Sequence, residues 1–134
     1  MMYEEPRSVM GTSVPEDVWV KIRDYSERNK ISKGLILRAS LGLLKKEGYF
    51  DGEDAEIRIY KLSNEISPRG RSYRTPTVVM SKSVFDKLEE IRQRIKLTRS
   101  RILRAGIALL IKRLDTLTVD DIKALEKELY SLVG

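Results

Sequence analysis

The feature that most narrows what this chain can become is that part of it is written twice. Ile36-Leu37-Arg38-Ala39 returns as Ile102-Leu103-Arg104-Ala105, 66 positions later. The same offset sets Val18 over Val84, Lys21 over Lys87, Arg28 over Arg94, Lys30 over Lys96, Leu43-Leu44 over Leu109-Leu110 and Lys46 over Lys112. Residues 9–46 and 75–112 share 11 identities in 38 positions without a gap. Conservative matches such as Val14/Met80, Trp19/Phe85, Ile22/Leu88, Ser32/Thr98, Lys33/Arg99 and Leu41/Ile107 keep the apolar pattern in step. Chance can produce one shared tetrapeptide, but a pattern in register over this length marks a repeated structural unit.

Each copy reads as a short strand followed by two helices. In the first, Val9 to Val14 is extended, and Pro15 suits a first helical turn, where its missing N–H costs nothing. Val18, Ile22 and Tyr25 then fall on one helical face, with Glu16 and Asp17 at the dipole's positive end. Asn29-Lys30 breaks the pattern. Ser32 caps a second helix carrying Leu35, Ile36, Ala39, Leu43 and Leu44 inward, and Gly48 can end it. In the second copy, Thr75 to Met80 is extended and β-branched. Ser81 caps a helix bearing Val84, Leu88, Ile91 and Ile95, and Thr98 caps one bearing Ile102, Leu103, Ala105, Leu109 and Leu110. These stripes are packing faces.

A unit of about forty residues has too little core to stand alone. Two units solve the problem jointly, their strands pairing antiparallel and their four helices sharing a core. The expected fold is therefore mainly α with a short two-stranded antiparallel β-ribbon. The first motif occupies 8–48, a linker 49–74, the second motif 75–114 and a C-terminal helix 115–134. Both copies lie on one chain, so the pairing can be intramolecular, a pseudo-dimer. Pairing between chains is the alternative.

Charge follows the repeat. The net charge is +6, but residues 9–46 carry +4 and 75–113 carry +7, while 47–74 carry −1 and 114–134 carry −3. Two basic blocks with acidic separators suit a polyanion-binding surface. The chain has no Cys and no His. That excludes disulfides, zinc fingers, thiol nucleophiles and imidazole-based catalysis. No residue set reads as catalytic or metal-binding, and no cofactor is expected. Glu89-Glu90 and the scattered tyrosines read as surface and packing residues.

Val14-Pro15-Glu16-Asp17-Val18 and Leu97-Thr98-Arg99-Ser100-Arg101-Ile102 resemble the strand–helix junction and the turn into the second helix of ribbon-helix-helix (MetJ/Arc-type) DNA-binding proteins. The resemblance covers both copies. In tandem, on a chain with two Asn, one Gln and 34% charged residues, it is similar to transcription regulators of archaeal viruses, with a hyperthermophile-like composition. It implies a tandem ribbon-helix-helix repressor or regulator that inserts its ribbon into the major groove of double-stranded DNA.

Strand parity then divides the ribbon. Met10, Thr12, Val14, Pro76, Val78 and Met80 point inward. Arg7, Val9, Gly11, Ser13, Tyr73, Thr75, Thr77 and Val79 point outward, toward bases. This outer set departs from the long polar side chains usual in the family. A register slip of one residue would exchange the faces, and Pro76 limits pairing where it stands. The resemblance further implies phosphate contacts at the start of each second helix. They come from Lys30, Ser32 and Lys33 in one copy and Lys96, Thr98, Arg99 and Ser100 in the other, with Gly34 standing where the second copy has Ser100. Arg74 ends a basic run, Pro68 to Arg74, that can follow a phosphate backbone.

Between the motifs, Glu56-Ile57-Arg58-Ile59-Tyr60-Lys61-Leu62 alternates like a strand or extended arm. The tail from Thr118 to Val133 reads as a helix with a Thr118/Asp121 capping box and an apolar stripe of Ile122, Leu125, Leu129 and Leu132. It packs on the core or joins neighbouring molecules, allowing self-association on tandem operators. No apolar run is long enough to span a membrane, and Met1 to Pro6 shows no secretory signal. The expected location is intracellular, in a prokaryotic cell, including an archaeal or virus-infected one. The competing functions are a ribbon-helix-helix antitoxin with a toxin partner and an architectural protein that coats DNA.

Overall fold

The computed structural model describes residues 7–134. The hexapeptide Met1 to Pro6, read above for a leader, lies outside the described residues. In chain order the elements are β1 (Arg7–Gly11), β2 (Val14–Pro15), α1 (Glu16–Asn29), α2 (Lys33–Lys46), α3 (Ala55–Glu65), β3 (Tyr73–Arg74), β4 (Thr77–Ser81), α4 (Lys82–Ile95), α5 (Arg99–Ile111) and α6 (Val119–Tyr130), with a 3₁₀ turn at Leu114–Thr116 before α6. The chain is mainly helical with a small antiparallel ribbon. No helix among the described residues is long and apolar enough to cross a membrane.

β1 pairs antiparallel with β4, setting Arg7 opposite Ser81, Val9 opposite Val79 and Gly11 opposite Thr77. β2 pairs with β3 in the same sense, Val14 opposite Arg74 and Pro15 opposite Tyr73. The two ladders are joined by one bond, Thr12 N–H to the Pro76 carbonyl at 3.2 Å. The gap falls at Pro76, which has no N–H to return. The ribbon therefore joins the two segments that the repeat sets over each other.

Alternation assigns its faces. Met10, Thr12, Val14, Pro76, Val78 and Met80 are all buried, so the expected inward set is in register. Each strand then runs straight into a helix. Pro15 stands one residue before the expected place, as the N-cap of α1 with φ −57°. The first free helical amide, Glu16 N–H, donates to the Ser72 carbonyl across the ribbon at 2.9 Å. Ser81 occupies the N-cap of α4, but its hydroxyl accepts no capping hydrogen bond, so the cap read there is positional only.

α1 and α4 end alike. Lys30 (φ 54°) and Lys96 (φ 60°) close them in the left-handed region, with their N–H groups bonded back to Ser26 and Arg92 carbonyls. Non-glycine residues seldom adopt this conformation. The chain turns at once into α2 and α5, whose first turns are capped as expected. Leu35 N–H donates to Ser32 Oγ at 3.1 Å and Arg101 N–H to Thr98 Oγ1 at 3.2 Å.

α2 and α5 form the centre of the core, with Ile36, Leu37, Leu41, Leu44, Ile102, Leu103, Ile107 and Leu110 fully buried. They cross closely at Ser40 and Gly106, where a Cβ on Gly106 would stand 2.8 Å from the Ser40 carbonyl oxygen. Two outer helices complete the bundle. α6 lies on α2 and α3 lies on α5, so each second helix is covered by the helix that follows the other one.

The segment read as an extended arm is the helix α3. Ala55, Ile59, Leu62 and Ile66 are buried at helical spacing, while Ile57, which made the alternation, is exposed. The burial available on α5 selects the 3.6-residue period over the local alternation. α6 forms as expected: Thr118 Oγ1 accepts from Asp121 N–H, Asp121 Oδ2 accepts from Thr118 N–H, and Ile122, Leu125 and Leu129 are buried. Arg38–Glu126 at 2.6 Å and Lys45–Glu128 at 3.0 Å fasten it to α2.

Candidate nucleic-acid interface

The outer ribbon face carries Arg7, Val9, Gly11, Ser13, Tyr73, Thr75, Thr77 and Val79 together. Gly11 and Ser13 are half-buried and the others exposed. Val9 is 56% and Val79 38% exposed although both are apolar and directly opposite each other. The two valines form a cross-strand pair that supports the ribbon and also leaves an apolar spot on its outer face.

Two arginines that sequence reasoning did not single out hold this face. Arg38 Nη1 donates to the Val79 carbonyl at 3.1 Å, and Arg104 Nε donates to the Ser13 carbonyl at 2.9 Å. Arg38 and Arg104 are counterparts at the 66-residue offset, and so are Ser13 and Val79. Each guanidinium reaches from a second helix to the ribbon segment of the other copy. The repeated tetrapeptide was the available signal, but nothing local says where its arginine points. Burial, followed by the nearby Arg101 charge, pushes the Arg104 guanidinium below its usual range, yet the group stays cationic.

The starts of α2 and α5 flank the ribbon. On the α5 side, Val9, Met10, Gly11, Arg92, Thr98 and Arg99 line an open groove of about 440 Å³. Arg99 is exposed and lies 5.3 Å from the centre of the Phe85 ring. Its guanidinium forms a two-pronged pair with Glu89, whose second oxygen accepts from Arg99 Nη2 at 3.0 Å and from Arg92 Nη2 at 3.0 Å. Hydrogen bonds from Arg99, then Arg92, lower the Glu89 carboxyl to about 2. The pair is therefore fully formed at neutral pH and is lost only as pH falls from the ordinary carboxylate range toward 2.

Ser100 lines the same groove, with its hydroxyl engaged by the ribbon. Its hydroxyl lies 2.7 Å from Thr12 Oγ1, which also donates to the Ser100 carbonyl at 2.8 Å. This docks α5 on the buried face of the ribbon and satisfies the one buried hydroxyl there. On the other flank, Lys33 is half-buried with no acidic partner among the described residues. The position matching Glu89 is Arg23. Lys30, Ser32, Lys96 and Thr98 are exposed around the two turns.

Arg74 is exposed but engaged, Nη2 to Glu16 Oε1 at 2.9 Å, and Arg71 pairs with Asp17 at 2.7 Å. The acids at the start of α1 thus tie down the basic loop as well as meeting the helix dipole. That loop borders a second open depression of about 770 Å³ beside Ser13 and Tyr73, with Arg69 exposed at its rim.

Comparison of the chain with protein-family models, curated proteins and solved structures finds no significant match.

Proposed function

We propose that the chain is a sequence-specific double-stranded DNA-binding transcription regulator that lays the outer face of its ribbon in the major groove. The observation that carries this reading is one surface: an exposed antiparallel ribbon face, flanked on both sides by capped helix starts with basic residues beside them. A two-stranded ribbon fits the major groove, and free amides at a helix start suit phosphate oxygens.

The arrangement is a tandem ribbon-helix-helix pseudo-dimer within one chain. The 66-residue offset carries Gly11 onto Thr77, and these two are ribbon partners, so a twofold axis would pass between them. It carries the Arg38–Val79 bond onto the Arg104–Ser13 bond, and Ser40 onto Gly106 at the helix crossing. The paired caps at Ser32 and Thr98 and the paired left-handed lysines fit the same axis. Such a unit has both ribbon strands on one chain and needs no second copy to complete its surface. An antitoxin role finds less support, because Ile122, Leu125 and Leu129 of the tail are already buried against α2.

The test is binding of the full chain to labelled duplexes across a salt series. Binding should weaken steeply with salt, through released counterions. A set of random duplexes should show at least about a thousandfold spread between preferred and arbitrary sequences. Equal, strong binding to every duplex would indicate a DNA-coating protein instead, and absence of binding at low salt would end the proposal.

A further inference from the structure

The geometry points to an operator that is not palindromic, with the Val9–Val79 pair reading thymine methyl groups chiefly on one side of its centre. This inference rests on the outer ribbon face being the DNA-contacting surface. Two identical chains would present each outward side chain twice, once on each side of the axis, and would favour a palindrome. Here the two sides differ. With Gly11 and Thr77 at the centre, one side carries Val9 opposite Val79 and then Arg7 opposite Ser81. In the same register the other side carries Ser13 across from Thr75 and ends at Pro15 opposite Tyr73. The repeat offset replaces Val9 by Thr75 and Val79 by Ser13. An apolar pair on one side thus becomes a hydroxyl pair on the other.

The chemistry of the two sides is separable. Valine side chains have no hydrogen-bonding atom, and the thymine C5 methyl is the one apolar group on the major-groove edges. Val9 and Val79 are 56% and 38% exposed, so contact with such a methyl removes apolar surface from water that the free protein leaves exposed. Ser13 and Thr75 offer hydroxyls that serve as donor or acceptor to several base edges, with a single methyl, that of Thr75, against the four of the valine pair. A two-residue step along a strand is about 6.8 Å, the rise of about two base pairs. The methyl contacts therefore fall about two base pairs from the centre.

The flanks reinforce the asymmetry. Val9 shares its groove with Arg99, which Glu89 holds. The counterpart positions are Lys33, which has no acidic partner among the described residues, and Arg23, which pairs with its neighbour Asp24 at 3.4 Å rather than clamping Lys33. A duplex bound in one orientation meets a stronger phosphate site on one flank than on the other.

Selection of duplexes from a random pool with the full chain tests this, followed by replacement of each selected thymidine by deoxyuridine, which removes only the methyl. The expected motif is non-palindromic, with thymine about two base pairs to one side of its centre. Deoxyuridine there should weaken binding about fourfold per methyl, the size expected for one buried methyl group, and should have a clearly smaller effect on the other side. The Val9→Ser, Val79→Ser double variant should bind the selected duplex more weakly and lose its sensitivity to deoxyuridine. Both residues are exposed, and an unchanged melting temperature would show that the fold is kept. A palindromic motif, or equal deoxyuridine effects on both sides, would overturn the inference while leaving the DNA-binding function standing. Failure to enrich any motif would remove the function and this inference together.

Discussion

Removing the charges of Lys33 and Arg99 together is expected to weaken duplex binding about one-hundredfold near physiological salt, by the same factor on every sequence. Both residues sit in the first turn of a second helix, beside caps that leave helix-start amides available. Phosphates are the same on every sequence, so the loss carries no preference. Two charged contacts averaging roughly 1.5 kcal/mol account for the factor. The slope of log affinity against log salt should become shallower by about 1.8, one counterion term per contact. The single variants should be unequal. Lys33 is unopposed, whereas Arg99 must be shared with Glu89. Lys33→Ala is expected to account for most of the loss, and Glu89→Gln should move the other way, freeing Arg99 and steepening the salt dependence. Because the Glu89 carboxyl is held near 2, none of this should vary between pH 5 and 8. Tight binding by the double variant at an unchanged slope would sink the phosphate assignment.

The largest effect on stability is expected at Gly42. A Cβ there would overlap the Leu125 carbonyl, and the crowding atoms are backbone, which cannot rotate away. Gly42→Val should force α2 and α6 apart, uncovering Ile122, Leu125 and Leu129. Overpacking of this kind, at the severe end, costs about 3–5 kcal/mol. For a chain of this size that lowers Tm by about 10–20 °C. Gly34, on the same helix, is the control. The nearest atom to a Cβ there is the Arg38 guanidinium at 3.3 Å, the far end of a flexible side chain. Gly34→Ala should be neutral or slightly stabilising through helix propensity. Thermal unfolding followed by circular dichroism separates the two, and equal melting temperatures for wild type and Gly42→Val would contradict the α2–α6 contact.

Much of the fold could be read from residues because the relevant signals are local and periodic. Strand parity has a period of two, and burial of Met10, Thr12, Val14, Pro76, Val78 and Met80 follows it at each position. Caps at Ser32, Thr98 and Thr118 act within three residues. What escaped depends on distant partners. α3 alternates in sequence because Ile57 happens to be apolar, and only the face of α5 decides that Ala55, Ile59, Leu62 and Ile66 turn inward. Arg38 and Arg104 were visible as a repeat, but their targets lie in the ribbon segment of the other copy, 41 and 91 residues away. Ser100 sits in the expected turn, but its contact with the buried Thr12 hydroxyl joins residues far apart in the chain and left no local mark. The unequal flanks were hidden as well, since the acid that holds Arg99 stands ten residues earlier in an ordinary surface-looking pair.

The most direct test of the ribbon as the DNA-reading surface is titration of isotope-labelled chain with a selected duplex, following each backbone amide by NMR. The expected result is that the largest shifts gather at Val9, Gly11, Ser13, Thr75, Thr77 and Val79, with a second group at Lys33 and Arg99, while α3 and the outer side of α6 stay unchanged. Saturating shifts confined to α3 or α6, with the ribbon amides unmoved, would contradict it.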